Sequence, residues 1–423
     1  MFDSEIPEKS SEAYRILHTA DWHLGKLLND KSRDEEHERF LGWLLSVVAQ
    51  HQVDAIVLAG DVFDSANPPQ SAQARYFEFI SSLYRTGHCT LVAIAGNHDS
   101  AAQLEAPRSA LHALKVHVVG SLAEDPESRI LCLPDNDTPK VALALLPFLR
   151  DRDVRVGKAG QTEDEIRIQM VDGIKQRYDE TLAAFISSGV SCPLMATGHL
   201  TVRGSQHSAS EREIHIGGLG AVDSAMFAKA YCYVALGHLH RPQATDDAGR
   251  VRYAGSPITL SFSECTDRKE IRIVDVEDKH VTDYGLPIPV FRKLVRLRTT
   301  RAELETTLAD FDPESAEFSS WVEVEVEDAA IDDDLNERVA ELTRDRPFEV
   351  LKVIRKEAVV ASGMAVGNAT DDEAIQSLLD DPIAVFDRLL KDQELNQDQV
   401  DHLRTAFKML CDQESQTHLG EQA

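Results

Sequence analysis

Short apolar runs and longer amphipathic stretches take turns along the first two thirds of the chain. Tyr14–Ala20, Ala55–Ala59, Thr90–Ala95, Val141–Leu146, Leu194–Thr197 and Tyr233–Leu236 are brief and apolar, the pattern of buried strands. Between them, Asp34–Ala49, Gln70–Tyr84 and Glu163–Ser187 carry apolar residues at helical spacing. Ala102–Leu114 predicts a weaker helix, because Pro107 interrupts it. Val251–Tyr253 and Glu270–Val276 read as a terminal pair of paired strands. Strand and helix in alternation predict an α/β domain over residues 14–285, preceded by a disordered leader at 1–13.

The pattern changes after the turn-rich GLPIPV at 285–290. Phe291–Arg298 and Ser320–Glu327 alternate with period two, as half-buried strands do, and a third strand is expected at 349–355. Helical segments at 301–309 and 334–343 separate them, which makes residues 286–360 a small α+β module. Residues 361–370 read as a linker. Three helices are expected within 371–423, with apolar stripes that include Ile375, Leu379, Phe386, Leu390, Leu403 and Phe407.

Composition narrows the class. The chain has 423 residues, 43% of them hydrophobic and 27% charged, enough to build globular cores. No run of about 18 apolar residues is present, so no membrane span is expected. The polar, acidic start lacks the basic and apolar regions of a secretory signal, which predicts a cytoplasmic protein. Six scattered cysteines with no CxxC pair read as reduced thiols. The net charge of −28 counts against nucleic acid, but it is uneven: residues 301–423 hold 31 acidic and 11 basic side chains, a net of −20, leaving −8 for residues 1–300.

Five segments carry chemistry: Asp21-Trp22-His23, Gly60-Asp61-Val62-Phe63-Asp64, Gly96-Asn97-His98-Asp99, Gly198-His199 and Gly237-His238-Leu239-His240. Each follows an apolar strand, which puts them all in loops at carboxyl ends of strands, where open α/β sheets bind ligands. Carboxylate, amide oxygen and imidazole together suit Mn²⁺, Fe or Zn²⁺. If two ions sit about 3.5–4 Å apart, one residue must bridge them, and Asp61 is the candidate. Each segment alone has an ordinary explanation, such as a turn cap or a histidine at a strand end; the five in this order do not.

These segments, read as D-x-H, G-D-x-x-D, G-N-H-D, G-H and G-H-x-H, resemble the calcineurin-like metallophosphoesterase superfamily. ILHTADWHLGK, GDVFDSANPP and ALGHLHRPQ resemble, within it, the nuclease subunits of bacterial SbcCD-type complexes, over most of residues 14–360. The resemblance implies a β-sandwich flanked by helices, a small capping domain at 286–360 that helps hold DNA, and C-terminal helices that dock on the coiled-coil base of an SbcC-like ATPase partner. It implies two divalent ions, usually Mn²⁺: one held by Asp21, His23, Asp61 and His240, the other by Asp61, Asn97, His199 and His238. His98 would stand near the scissile phosphate without binding metal, and Asp64 would orient it by a hydrogen bond. The expected activity is direct hydrolysis of DNA at double-stranded ends and hairpins, in repair and recombination. A homodimer formed through the early helices is implied as well. No Walker A pattern is present, so ATP use would fall to the partner. Lys26, Arg150, Arg152, Arg203, Arg241 and Arg268 lie near the motifs and are candidate phosphate contacts. Two other readings use the same residues: a small-substrate or cyclic-nucleotide phosphodiesterase, and a non-catalytic DNA-end scaffold. Ser65 follows Asp64 where the superfamily's protein phosphatases carry arginine, which counts against a protein phosphatase.

Overall fold

The structure is a computed structural model that describes residues 6–356, apart from 159, 209, 212–219, 279, 314–315 and 328–333. The chain divides into two units, Met1–Ala358 and Val359–Ala423. The second unit lies outside the described residues, and with it the expected linker at 361–370 and helices of 371–423.

The elements run β1 (Tyr14–Thr19), β2 (Leu27–Leu28), β3 (Lys31–Ser32), α1 (Asp34–Gln50), β4 (Ala55–Ala59), α2 (Gln70–Thr86), β5 (Thr90–Ile94), α3 (Ala101–Glu105), α4 (Arg108–Ala113) and β6 (Val116–Val119). Then come β7 (Ile130–Leu133), β8 (Val141–Ala144), α5 (Asp151–Val154), α6 (Glu163–Ser188), β9 (Leu194–His199), β10 (Tyr231–Gly237), β11 (Gln243–Ala244), β12 (Val251–Tyr253), β13 (Glu270–Glu277) and β14 (His280–Pro287). The last are β15 (Arg292–Thr300), α7 (Leu304–Asp310), β16 (Phe318–Glu327), α8 (Leu335–Thr343) and β17 (Phe348–Lys356).

Two 6-stranded sheets result, ordered β14-β13-β1-β4-β5-β6 and β11-β12-β10-β9-β8-β7. The central strands of each are parallel; antiparallel strands close both margins of the second sheet and the β13-β14 margin of the first, whose other edge, β6, is parallel to β5. The strands are apolar on both faces because both faces are covered. In β4, Ala55 and Val57 point into the core between the sheets, while Ile56 and Leu58 pack with Phe40, Leu44 and Tyr76 of α1 and α2. In β10, Tyr233 and Ala235 take the inner face, and Val234 and Leu236 pack with Ile174 and Tyr178 of α6. The layers are therefore helix, sheet, sheet, helix, the expected sandwich flanked by helices. α6 begins with a reciprocal cap between Thr162 and Glu165 and ends at Gly189, where φ of 73° suits glycine.

Several expectations are corrected. Val251–Tyr253 and Glu270–Glu277 do not pair with each other. The first adds parallel to β10 in one sheet, and the second pairs with β1 in the other, because each buries its apolar residues in a different core. β14 runs two residues into the turn-rich stretch 285–290, through Pro287 as the partner of Glu270, before β15 begins at Arg292. The leader is not loose over its described part: Lys9 pairs with Asp54, Ser10 bonds Glu277 at 3.1 Å, and the Pro7 carbonyl accepts from Arg15 at 3.0 Å. The helix expected at Ala102–Leu114 is split around Pro107 into α3 and α4.

The last module is a three-stranded sheet, β15-β16-β17, all parallel, with α7 and α8 on one face. Val322, Val324 and Val326 of β16 face those helices. The intervening acids face the other way: Glu323 meets Arg296 at 2.6 Å and Lys352 at 3.2 Å, and Glu325 meets Arg298 at 2.9 Å and also Lys356. Arginines bolt this module to the sandwich. Arg292 bonds Glu36 at 2.9 Å and Glu35 at 2.8 Å, and its guanidinium lies 4.2 Å from the centre of the Trp321 ring. Arg33 shares Glu36 at 2.8 Å and donates to the Thr259 carbonyl at 2.7 Å.

Removing one partner of this buried network leaves the others uncompensated. Arg292→Ala is expected to destabilise the chain by about 3 kcal/mol, read from the urea midpoint with tryptophan fluorescence.

Candidate metal centre

The motif loops meet where the carboxyl ends of the two sheets converge. β1, β4 and β5 deliver Asp21, His23, Asp61, Asn97 and His98, while β9 and β10 deliver His199, His238 and His240. Small residues let the sheet ends come this close. Ala20, Ala59 and Ala254 form a cluster of their own, and a side chain at Gly237 would put its Cβ 1.9 Å from the Ala59 carbonyl. Beyond the strands the loops keep strand-like bonds, with the His23 amide donating to the Asp61 carbonyl at 3.0 Å. Trp22 anchors the first loop, its ring edge-on to Phe79 at 5.2 Å and Phe40 at 5.8 Å, which turns Asp21 and His23 toward the site. Asp21, His23, Asp61 and His238 adopt positive φ of 52°, 46°, 50° and 98°, a conformation that is costly for residues with a Cβ and concentrates at functional sites.

Asp61 lies at the centre. Its Oδ1 accepts the His98 amide at 2.9 Å, and its Oδ2 is 3.5 Å from Nε2 of His23 and 3.4 Å from Nε2 of His199. Asn97 Oδ1 meets Nε2 of His199 at 2.9 Å. Asp21 accepts the His238 amide at 2.9 Å, and the His238 ring lies 5.4 Å from that of His199. Ligand-type atoms of Asp21, His23 and His240, of His23, Asp61 and His98, and of Asp21, Asp61 and His199 form three buried groups. The seven expected ligands are thus drawn together.

The donor set fits a cation on one further observation. Nε2 of His23 is buried and has no hydrogen-bond partner among the described residues, although Asp61 lies near it. A buried polar atom without a partner is costly, and a metal ion facing Asp61 and His23 would satisfy it.

Electrostatics agree. Burial works against the charge of Asp61, yet His199, His23 and His98 hold its carboxyl well below the usual range. Burial raises Asp21 well above it. Burial alone would lower His199, but Asp61 and then Asp21 push it up to about 9. Burial lowers His23, His238 and His240.

His98 and Asp64 are adjacent, but not as expected. Nδ1 of His98 is 2.8 Å from the main-chain carbonyl of Asp64. The Asp64 carboxylate instead meets Nδ1 of His23 at 3.1 Å and Lys26 at 3.0 Å. Asp64 is thus placed to orient both histidines, His98 through its backbone and His23 through its side chain. Among the candidate phosphate contacts, Lys26 is therefore engaged with Asp64, and Arg241 pairs with Asp267 at 2.5 Å.

Sequence reading missed three acids here. Asp99 accepts the amides of Gly96 at 2.9 Å, Phe63 at 3.0 Å and Val62 at 3.1 Å, stitching the Asp61 loop to the Asn97 loop. Burial and then the Asp61 charge raise Asp99 to about 7. Its place within Gly-Asn-His-Asp was the available signal. Glu211 accepts the His240 amide at 2.8 Å, and Glu264 lies 3.1 Å from Nδ1 of His240. Neither sits in a motif.

A family model described as Calcineurin-like phosphoesterase matches residues 14–242, and one described as Type 5 capsule protein repressor C-terminal domain matches residues 290–394. The chain is 37% identical to the SbcD subunit of the SbcCD nuclease of Escherichia coli (strain K12) over 403 residues, 93% of this chain and 96% of that one. It is 39% identical to the SbcD subunit of Rhodobacter capsulatus over 293 residues, 66% and 71% of the two chains. With that of Bacillus subtilis (strain 168) it is 32% identical over 315 residues, 74% and 78%.

A metal at this centre needs His199 neutral and Asp21 ionised. Because both groups are raised in the metal-free chain, uptake is expected to release protons, and affinity should climb as pH rises from 7 toward the His199 value of about 9. Titration calorimetry in buffers of different ionisation heat measures the protons released; an affinity that is flat with pH would contradict this.

Proposed function

The chain belongs to the calcineurin-like phosphoesterase family, in the branch of the SbcCD nuclease subunits, and on that footing we propose that it is a metal-dependent DNA nuclease that works with an SbcC-like ATPase partner. The observation that carries the reading is the gathering of Asp21, His23, Asp61, His199 and His240 into buried groups of ligand-type atoms, with a buried imidazole nitrogen of His23 left unsatisfied beside Asp61.

Asp21, His23, Asp61 and His240 would hold one divalent ion, and Asp61, Asn97, His199 and His238 the other, most suitably Mn²⁺. Ions held there would supply a water of lowered pKa and electrostatic stabilisation of the phosphoryl oxygens. Asp61, whose Oδ2 lies 3.5 Å from Nε2 of His23 and 3.4 Å from Nε2 of His199, would belong to both ligand sets. His98, oriented by the Asp64 carbonyl, would hydrogen-bond the developing oxyanion or deliver a proton to the leaving oxygen. Water would displace the leaving oxygen in line, with no covalent intermediate on the chain.

The module over residues 286–360 would act as the capping domain that holds DNA over the centre. Its bolt to α1 through Arg292, with Arg33 over the Trp321 ring, supports a fixed cap, and Arg296, Arg298, Lys352 and Lys356 line one face of its sheet. Residues 371–423 would bind the ATPase partner, and the working form would be a cytoplasmic homodimer. No helix among the described residues is long and apolar enough to cross a membrane.

The test is Mn²⁺-dependent cleavage of a labelled DNA hairpin and a blunt duplex, beside a small phosphodiester, with and without the ATPase partner and ATP. DNA cleavage that rises with partner and ATP and vanishes in Asp61→Ala is expected. Turnover of the small ester with no action on DNA would move the chain to the small-substrate phosphodiesterases. His98→Ala is expected to keep two Mn²⁺ per chain by calorimetry while losing about 10²–10⁴-fold in turnover; loss of metal instead would make His98 a ligand.

A further inference from the structure

His240 is backed by a buried ion pair that lies outside every motif. Glu264 sits on the short turn Phe262–Glu264 and is fully buried, 24 residues beyond His240 in sequence. Its Oε1 lies 3.1 Å from Nδ1 of His240. The same oxygen accepts from Ser208 Oγ at 3.2 Å and contacts Ser210 Oγ, which is itself 2.8 Å from Nδ1 of His240. Its Oε2 accepts from Lys269 Nζ at 2.6 Å and from the Leu260 amide at 3.1 Å. Lys269 Nζ also donates to the His240 carbonyl and to Ser256 Oγ, both at 2.9 Å. The pair therefore grips His240 by its ring and by its main chain. Just upstream, the Thr259 carbonyl is held by Arg33 at 2.7 Å, so the loop that carries Glu264 is fixed at both ends.

A buried ion pair is a weak way to stabilise a loop, because desolvating two charges costs about as much as their attraction returns. The arrangement makes sense if the carboxylate has a task. A carboxylate accepts the Nδ1–H of His240 and so leaves the Nε2 lone pair for a cation; the His23 and His240 ring centres lie 5.0 Å apart. His23 has a similar backing from Asp64 at 3.1 Å, whereas Nδ1 of His199 meets the neutral carbonyl of Ala59 at 3.0 Å, with the Asp21 carboxylate at 4.0 Å, beyond hydrogen-bond reach. The two halves of the centre thus differ: both imidazoles on the Asp21 side have carboxylate support.

We propose that Glu264, held by Lys269, is a positioning residue that sets the tautomer and basicity of His240, and through it the affinity of the ion held by Asp21, His23, Asp61 and His240. This rests on the two-ion reading above. The experiment is Mn²⁺ titration of the full chain by calorimetry, followed by electron paramagnetic resonance at two equivalents. The variants are Glu264→Gln, which keeps the shape and removes the charge, and Glu264→Gln with Lys269→Met, which leaves no unpaired ammonium. Wild type should take up two ions and give a coupled dinuclear spectrum. Both variants should bind one ion normally and the other about 10–100-fold more weakly, with the spectrum of isolated Mn²⁺ replacing the coupled one. Melting of the metal-free double variant is expected to match wild type, which separates this effect from general loss of structure. A folded double variant that binds both ions with wild-type affinity overturns the inference alone. A wild-type chain that takes up no Mn²⁺ overturns the two-ion reading and this inference with it.

Discussion

The burial of one carboxylate organises the molecule. Asp61 is 1% exposed, and an ionised carboxylate in an interior survives only with hydrogen bonds and positive charge around it. Its partners come from both sheets: the His98 amide and His23 from one, His199 from the other. Satisfying Asp61 therefore requires the two sheet ends to meet. It also dictates the backbone beside it, since a Cβ at Gly96 would fall 2.1 Å from Asp61 Oδ1. The core between the sheets, built from residues such as Ile16, Val57, Met195 and Tyr233, supplies the burial that holds this concentration of polar groups together.

Strain and compensation follow from the same constraint. Asp21, His23, Asp61 and His238 all sit at positive φ, each at a cost of about 1 kcal/mol or more. The surroundings over-determine them: Trp22 wedged on Phe40 and Phe79, Asp99 binding three amides, and the His238 amide on Asp21. A rigid frame of this kind preorganises ligands, so that less reorganisation remains when a cation arrives.

Charge is handled locally rather than globally. The net charge of −28 describes the chain and not its faces. On the last sheet, Glu323 and Glu325 are buried and spend their charge on Arg296, Lys352, Arg298 and Lys356, whose exposed groups make that face cationic at its margins. At the join to the sandwich, Arg33 and Arg292 stack on Trp321 while sharing Glu36, a use of planar guanidinium that lysine cannot reproduce.

Much was readable from sequence because it is local. Apolar runs such as AIVLA at 55–59 declare a strand covered on both faces, and a polar ligand-type residue directly after each run declares a loop at the strand's carboxyl end. Together these pointed to the α/β alternation and to the segments that hold all seven candidate ligands, while the sandwich was implied by the family resemblance. The pairing of Val251–Tyr253 with β10 and of Glu270–Glu277 with β1 was not readable, because both are short apolar strands and only the competition between two cores assigns them. Nor was the division of labour at Asp64, whose carbonyl and carboxylate serve different histidines, or the role of Glu264, an acid with no motif around it. Sequence determines which groups sit at the ends of which strands, since hydrophobic period and turn chemistry act over a few residues. Tertiary structure alone decides which of a residue's atoms meets which partner, since that depends on how two sheets, remote in sequence, are pressed together around a buried charge.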